Sequence, residues 1–327
     1  MKRREIVLAS VASGALVALG AARVQAQQAV RRIAWLGSGT PETQSELVTA
    51  FKAKFKDLGY VEGRDFAIDF RWVGAKPERV LGLARELIAL KPALIVTAGS
   101  TAVGTLKKET STIPIVFASL GDPVGQGFVQ SLSRPGGNLT GITIRTEVNT
   151  KLLDMVREAL PKARRIVVLE HEGDAAAKLA QPALQPAALA LGYELSVVAV
   201  RQADDFERAF AEASRRKADA VLAGTFSLFG LHAQKIAELA LKARLPVFGA
   251  FRRSAEKGAL VSYSQDLREN YRSAAVLVDK IFKGANPGDL AVEQPDRFFL
   301  LINLRTAKAL GIVIPQTLLA RADEVIE

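Results

Sequence analysis

Small and hydroxylated residues follow two of the first apolar segments of this 327-residue chain. Ser38 lies in a Gly-Ser-Gly segment after the predicted strand 33–36, and Ser100 and Thr101 follow the predicted strand 94–96. In open α/β sheets, ligands bind beyond the carboxyl ends of the strands. A helix that begins there attracts an anion by about 0.3–1 kcal/mol at exposed sites. Serine and threonine also cap helices without binding any ligand, so the prediction of a cleft rests on the cluster and not on one residue.

Further candidate residues follow predicted strands later in the chain. Asp122, after the strand 113–118, can receive an ammonium group, and His171, after 166–169, can polarise a ligand or lie in a surface loop. Phe226 and Phe251 can supply apolar walls. The complete set of predicted ligand-binding residues is Ser38, Ser100, Thr101, Asp122, His171, Thr225, Phe226, Phe251 and Gln265.

These residue types favour a small carboxylate with an apolar or aromatic body, such as an amino acid. Its anionic end is expected near Ser100 and Thr101. Trp35 can add an apolar wall or belong to the core. A phosphate is disfavoured because no cluster of basic residues accompanies the hydroxyl groups, and Arg252 stands nearly alone.

Recognisable catalytic motifs are missing from the sequence. It contains no nucleophile elbow, phosphate-binding loop or zinc-protease helix, and its two Gly-x-Gly segments lack the third glycine of a dinucleotide site. There are two histidines and no cysteines. We therefore predict a protein that is not an enzyme, with no catalytic residues, no metal and no cofactor. The alternative class is an exported hydrolase that uses Asp122 with Glu170 or Glu172.

The elements that must position these residues alternate between strands and helices. The first half predicts strands at 33–36, 66–73, 94–96, 113–118 and 142–144, and the second half at 166–169, 195–200, 220–223 and 247–251. Short matches between the halves, such as Leu58-Gly59-Tyr60 with Leu191-Gly192-Tyr193, share an offset of 133 positions. Alternation of this kind predicts parallel βαβ units. The expected fold is α/β, with two doubly wound, Rossmann-like parallel-sheet lobes and a cleft between them.

The chain continues after the second repeat with strands predicted at 260–263 and 298–302 and a helix at 267–282. One extra piece is expected to complete each lobe, so that the chain crosses between lobes near 143–147, 252–261 and 284–297. The predicted division is a signal peptide at 1–26, a first lobe at 27–146 and 262–284, and a second lobe at 147–261 and 285–327. Three parallel crossings predict a hinge that closes on a ligand.

The N-terminus has the pattern of an export signal. Lys2-Arg3-Arg4 precedes an apolar stretch from Ile6 to Leu19, and Val24 and Ala26 form a small-residue cleavage site. About 14 apolar residues are fewer than the roughly 20 that span a bilayer. Without a cysteine for lipid attachment, the mature protein is expected to be free in the periplasm, without stable membrane insertion. The net charge of +10 is dispersed and aromatic content is 6%, which does not favour nucleic-acid binding.

With these patterns, the chain resembles the substrate-binding proteins of ABC transporters, in the group that includes tryptophan- and tyrosine-type binders. The resemblance covers roughly 31–326. It rests on segments such as Leu58-Gly59-Tyr60-Val61-Glu62-Gly63, Gly121-Asp122-Pro123-Val124, Arg134-Pro135-Gly136-Gly137-Asn138-Leu139-Thr140-Gly141 and Ile302-Asn303-Leu304-Arg305-Thr306-Ala307.

The resemblance implies the type I periplasmic-binding fold, and a monomer that hands its ligand to the permease subunits of an ABC importer. First-lobe contacts carried over from the family are Ser38, Ser100, Thr101 and Asp122. The second lobe departs from the family pattern at Glu170-His171-Glu172-Gly173 and at Thr225-Phe226-Ser227. These positions are expected to set the identity of the ligand.

Overall fold

The computed structural model of the protein describes residues 30–327, except 75, 146, 173, 174 and 296, and describes the backbone alone for 175–182. The predicted signal peptide at 1–26 lies outside the described residues. None of the helices in the described part of the chain has the length and apolar character needed to span a membrane.

Strands and helices alternate along the chain, as the sequence predicts. The strands are β1 Arg31–Gly37, β2 Phe66–Trp72, β3 Leu94–Thr97, β4 Ile115–Gly121, β5 Leu139–Ile144, β6 Arg165–His171, β7 Glu194–Val200, β8 Ala220–Ala223, β9 Val247–Gly249, β10 Val261–Ser264, β11 Phe299–Asn303 and β12 Glu324–Ile326. The helices are α1 Pro41–Asp57, α2 Val80–Ala89, α3 Ser100–Glu109, α4 Val148–Ala159, α5 Ala175–Ala190, α6 Asp205–Arg215, α7 Ser227–Leu231, α8 Ala233–Lys242, α9 Arg252–Glu256, α10 Leu267–Phe282, α11 Leu304–Leu310 and α12 Gln316–Leu319.

The first lobe is a five-stranded parallel sheet in the order β2-β1-β3-β4-β5. Its three central strands, β1, β3 and β4, carry continuous apolar runs because helices cover both faces of a parallel sheet. Helix α10, although distant in sequence, packs against α1, β4 and β5. Trp35 in β1 is 1% exposed and stacks on Tyr271 of α10, with ring centroids 5.3 Å apart. Trp35 is therefore a core residue that holds α10 to this lobe.

The second lobe is a seven-stranded sheet in the order β12-β11-β10-β9-β8-β6-β7. The partial order β7-β6-β8-β9 reproduces β2-β1-β3-β4 of the first lobe, which confirms the internal repeat. The sheet is not wholly parallel, because β11 runs antiparallel to β10. After β10 the chain passes through the first lobe and re-enters the second at the carboxyl end of β10, so that the next strand must run backwards.

The second crossing differs from the prediction. Residues 252–261 were expected to cross between lobes, but α9 and the start of β10 occupy them, and β10 pairs with β9 and β11. Residues 262–264 therefore belong to the second lobe, and the chain crosses at Gln265 and Asp266. The other crossings lie between β5 and α4 and between Glu293, which bridges to Ile142, and Phe298, which stacks on Tyr263.

The helical segment that follows β8 is divided in two. Helix α7 ends at Leu231 and α8 begins at Ala233, with His232 at the junction. Burial and the nearby Lys235 lower the pKa of His232.

Candidate functional site

A cavity of about 180 Å³ lies between the two lobes, where the carboxyl ends of both sheets face each other. One water occupies about 10–15 Å³ of such space, so the cavity has room for a small organic molecule. It is lined by the ends of β1, β3, β4 and β5 from the first lobe and of β8, β9 and β10 from the second. Six residues predicted from the sequence are among its lining residues: Ser38, Ser100, Thr225, Phe226, Phe251 and Gln265.

A second chamber of about 80 Å³ lies beside this cavity, toward the edge of the cleft formed by the ends of β2 and β6. Two predicted residues, Thr101 and His171, line this chamber and not the main cavity. Ser38, Ser100 and Leu231 line both spaces. Between these two spaces the lobes approach each other closely, since a Cβ atom built on Gly99 would lie 3.4 Å from Ser227 Oγ.

Asp122 is the predicted residue that lines neither space. Its carboxylate accepts a hydrogen bond of 2.8 Å from the backbone N–H of Gly125, and its φ of 38° lies in the left-handed region. Aspartate tolerates this conformation because its side chain bonds the backbone a few residues on. The geometry assigns Asp122 to the turn after β4 and does not bring it to the ligand cavity.

Gln265 lines the cavity, but both ends of its side-chain amide bind the crossings between lobes. Its Oε1 accepts from the backbone N–H of Arg145 at 3.3 Å, and its Nε2 donates to the carbonyl of Pro295 at 2.8 Å. Arg145 lies on the first crossing and Pro295 on the third, while Gln265 lies on the second. One buried side chain, 6% exposed, therefore ties all three crossings together.

Gln44 is a cavity residue that the sequence analysis missed. Helix α1 begins with a capping box in which Thr40 and Thr43 bond each other's backbone N–H groups, and this start directs Gln44 toward the cavity. Its Nε2 donates to Ser38 Oγ at 2.9 Å. Its Oε1 is buried with no hydrogen-bond partner within the described part of the chain. Its sequence signal is a polar residue three positions before Leu47, at the helical spacing of the apolar residues of α1.

Arg253 is a second cavity residue that the sequence analysis missed. The two other arginines that line the cavity are paired, Arg252 with Glu256 at 2.7 Å and with Glu324, and Arg268 with Asp266 at 2.6 Å. Among the described residues, Arg253 has no carboxylate within 4 Å. Its Nη1 donates to the carbonyl of Thr43 at 3.5 Å, across the cleft, and its Nε is buried without a partner.

Apolar side chains form the remaining walls of the cavity. Phe226 is 7% exposed and packs edge-on against Phe229 at 5.7 Å, and Phe251 and Leu231 lie nearby on the same lobe. Tyr271 contributes from the first lobe, and burial raises the pKa of its phenol. The cavity thus combines aromatic surfaces with a few polar groups, as small-molecule sites commonly do.

The carboxylates required for a hydrolase do not meet in either space. Glu172 pairs with Arg201 at 2.8 Å on the surface, Asp122 is held in its turn, and Glu170 is not among the lining residues. The structure therefore does not bring Asp122 together with Glu170 or Glu172, the pair that the hydrolase alternative requires.

Asp266, on the second crossing, gives the stability of the protein a testable pH dependence. Burial disfavours its charged form, but hydrogen bonds from the Arg268 guanidinium and backbone N–H outweigh this and hold the pKa of Asp266 below its usual range. A lowered folded pKa stabilises the protein above the ordinary carboxyl pKa of about 4, and this stabilisation is lost as the pH falls through the lower folded value.

We expect Asp266→Asn to lower the melting temperature at pH 7 by a few degrees, since asparagine keeps the cap of α10 but loses the ion pair. The difference from the unaltered protein should shrink as the pH falls below about 4. Melting curves of both proteins between pH 7 and pH 3 measure it. A difference that stays constant over this range would contradict the assigned ion pair.

Two α/β lobes that meet at a ligand-sized cavity and are joined by three crossings define a type I periplasmic binding protein. Residues 41–326 match the family described as ABC transporter substrate binding protein, and the chain belongs to this family.

Individual relatives agree with this assignment. A conserved-domain protein of Vibrio cholerae superimposes with a TM-score of 0.86 at 28% identity, covering 90% of this chain and 99% of that one. An ABC domain from Streptococcus pneumoniae, solved in complex with L-Trp, gives a TM-score of 0.85 at 21% identity, covering 91% and 100%. A tyrosine-binding protein of Clostridioides difficile is 25% identical over 262 residues, which is 80% of this chain and 75% of that protein.

Proposed function

We propose that this chain is the extracytoplasmic solute-binding protein of an ABC importer. It traps a small carboxylate with an apolar or aromatic body, an amino acid in the first instance, between its two lobes. It then delivers the ligand to the permease subunits in the membrane. The chain acts in this proposal as a periplasmic monomer, exported through a cleavable signal at 1–26, with no nucleic-acid partner and no catalytic role.

The observation that carries the proposal is the cavity itself. It is bounded by the carboxyl ends of both sheets, which is where open α/β proteins bind ligands, and its walls come from both lobes. A ligand held there contacts both lobes at once, so its binding favours the closed arrangement over the open one. Aromatic walls suit an apolar body, and the relatives that bind tyrosine and L-Trp support an amino acid.

The test is a thermal-shift screen of the chain beginning at Gln27 against L-tryptophan, L-tyrosine, L-leucine and benzoate, with myo-inositol as a neutral control. A ligand at 100 times its Kd stabilises the folded state by about 2.7 kcal/mol. For a chain of this size we expect its melting temperature to rise by roughly 3–6 °C. Isothermal titration then gives the affinity.

Two results would contradict the proposal. If the neutral polyol stabilises the protein more than any carboxylate, the ligand class is wrong. If the best carboxylate shifts the melting temperature but small-angle scattering shows no difference in compactness between the free and saturated protein, closure of the lobes is wrong.

A further inference from the structure

We propose that Arg253 binds the ligand's carboxylate and that Gln44 binds a hydrogen-bond donor on the neighbouring carbon, so that the site selects α-amino or α-hydroxy acids. This inference rests on the proposed function. It differs from the sequence prediction, which located the anionic end near Ser100 and Thr101.

Arg253 has hydrogen-bond donors that the described part of the chain leaves unused. A guanidinium presents five N–H donors and stays charged at all ordinary pH values. Among the residues that the structure describes, Arg253 uses one donor in a long bond to Thr43, and its Nε is buried without an acceptor. A buried donor without a partner is costly, and a carboxylate with its two oxygens is the group that matches the guanidinium fork. The neighbouring Arg252 cannot serve equally, since Glu256 and Glu324 already neutralise it.

Gln44 lies next in sequence to the residue that Arg253 contacts across the cleft. Arg253 reaches across the cleft to the carbonyl of Thr43, the residue that precedes Gln44 in α1. Both side chains line the same cavity, one from each lobe. The unpartnered Oε1 of Gln44 accepts hydrogen bonds and donates none. It therefore complements an ammonium or hydroxyl group located next to the carboxylate.

Arg253 and Gln44 together can make the site selective. Unpartnered polar groups discriminate strongly, because a ligand that lacks the matching group leaves them buried and unsatisfied. The apolar walls accept many side chains, whereas Arg253 and Gln44 together define the polar head of the ligand. The chemical class is therefore fixed at the head group: an α-substituted carboxylate.

The experiment uses four probes that share one phenyl group: L-phenylalanine, L-3-phenyllactate, 3-phenylpropionate and L-phenylalaninamide. Titration calorimetry with the unaltered chain should rank both α-substituted acids above 3-phenylpropionate and should place the amide last. In Arg253→Gln the affinity for the acids should fall by about 10- to 100-fold, while the affinity for the amide changes little. Arg253→Lys should recover part of the loss, because it keeps the charge without the fork.

Gln44→Met tests the second contact. It should lower the affinity for L-phenylalanine and L-3-phenyllactate by about 3- to 10-fold and leave 3-phenylpropionate nearly unchanged. Arg216→Gln is the matched control, because Arg216 pairs with Glu212 on the exposed surface of the same lobe as Arg253. It should leave all four affinities unchanged. Melting curves of each ligand-free variant show whether it is folded.

Each contrary outcome identifies what fails. If no probe binds the unaltered chain and the thermal-shift panel also gives no ligand, the proposed function is overturned and this inference with it. If the acids bind but folded Arg253→Gln binds them equally well, or if Ser100→Ala weakens them more than Arg253→Gln does, the role of Arg253 is wrong while the proposed function stands. If Gln44→Met leaves the preference for α-substituted acids intact, the assignment of Gln44 is wrong.

Discussion

Replacement of Trp35 by alanine is expected to lower the free energy of unfolding by about 3–5 kcal/mol, the range typical for a large aromatic side chain removed from a core. Trp35 contacts Phe51 edge-on at 5.3 Å and Tyr271 face-on at 5.3 Å. Tyr271 belongs to α10, which joins the first lobe only after the chain has completed the repeat in the second. The substitution therefore weakens the attachment of a whole helix as well as creating a cavity.

Urea denaturation followed by circular dichroism measures this loss. Trp72→Ala is the control, because Trp72 carries the same indole at the end of β2 but is only half-buried. We expect it to lose no more than about half as much stability, since less apolar area leaves water at that position. Equal losses in the two variants would show that Trp35 has no special role in holding α10.

A second large effect is expected from Gly39→Ala, which should weaken ligand binding by about 5- to 150-fold. A Cβ atom at this position would lie 2.7 Å from Leu231 Cδ2 of the opposite lobe. Overpacking of this kind costs about 1–3 kcal/mol, and here the cost falls on the closed arrangement. If binding requires closure, as the proposed function has it, the apparent affinity falls with the fraction of molecules able to close.

The same Cβ atom would also lie 2.4 Å from Thr43 Oγ1 within the first lobe, so a suppressor is needed to separate the two clashes. Adding Leu231→Ala removes the contact across the cleft and leaves the contact with Thr43. Because Leu231 also lines the cavity, Leu231→Ala alone is the reference, and titration of all three variants with the best ligand of the screen should show that the double variant binds nearly as tightly as Leu231→Ala. A double variant much weaker than Leu231→Ala would show that the effect arises inside the first lobe.

The periodic parts of the fold were predictable from the sequence. Helix α10 was predicted at 267–282 and forms over those residues, because its apolar spacing is local information. The second crossing lies elsewhere than predicted because the alternating residues 261–264 form a short strand pattern that fits either sheet. Only the pairing of β10 with β9 and β11 assigns the strand to the second lobe, and that pairing depends on residues outside the segment.

The candidate site was predictable as a set of strand ends but not as a set of contacts. Of the adjacent residues Arg252 and Arg253, only Arg252 has an acidic residue four positions on, Glu256. Its second partner, Glu324, lies 72 positions away, so only the folded structure shows that Arg252 is doubly paired while Arg253 has no carboxylate partner among the described residues. Asp122 lies outside both spaces for a local reason. Its position before Pro123 and three residues before Gly125 is typical of a turn in which the aspartate bonds the backbone.

Gln265 has a mechanical consequence. A side chain bonded to all three crossings keeps that point nearly stationary while the lobes move, so it serves as a pivot. The displacement of any other residue then grows with its distance from the pivot, as along a lever arm. The ends of β8, β9 and β10 lie near this point, whereas the ends of β2 and β6 lie on the far side of the cleft. We therefore expect a small rotation to open the second chamber widely, so that the ligand enters on the side near Val73 and His171.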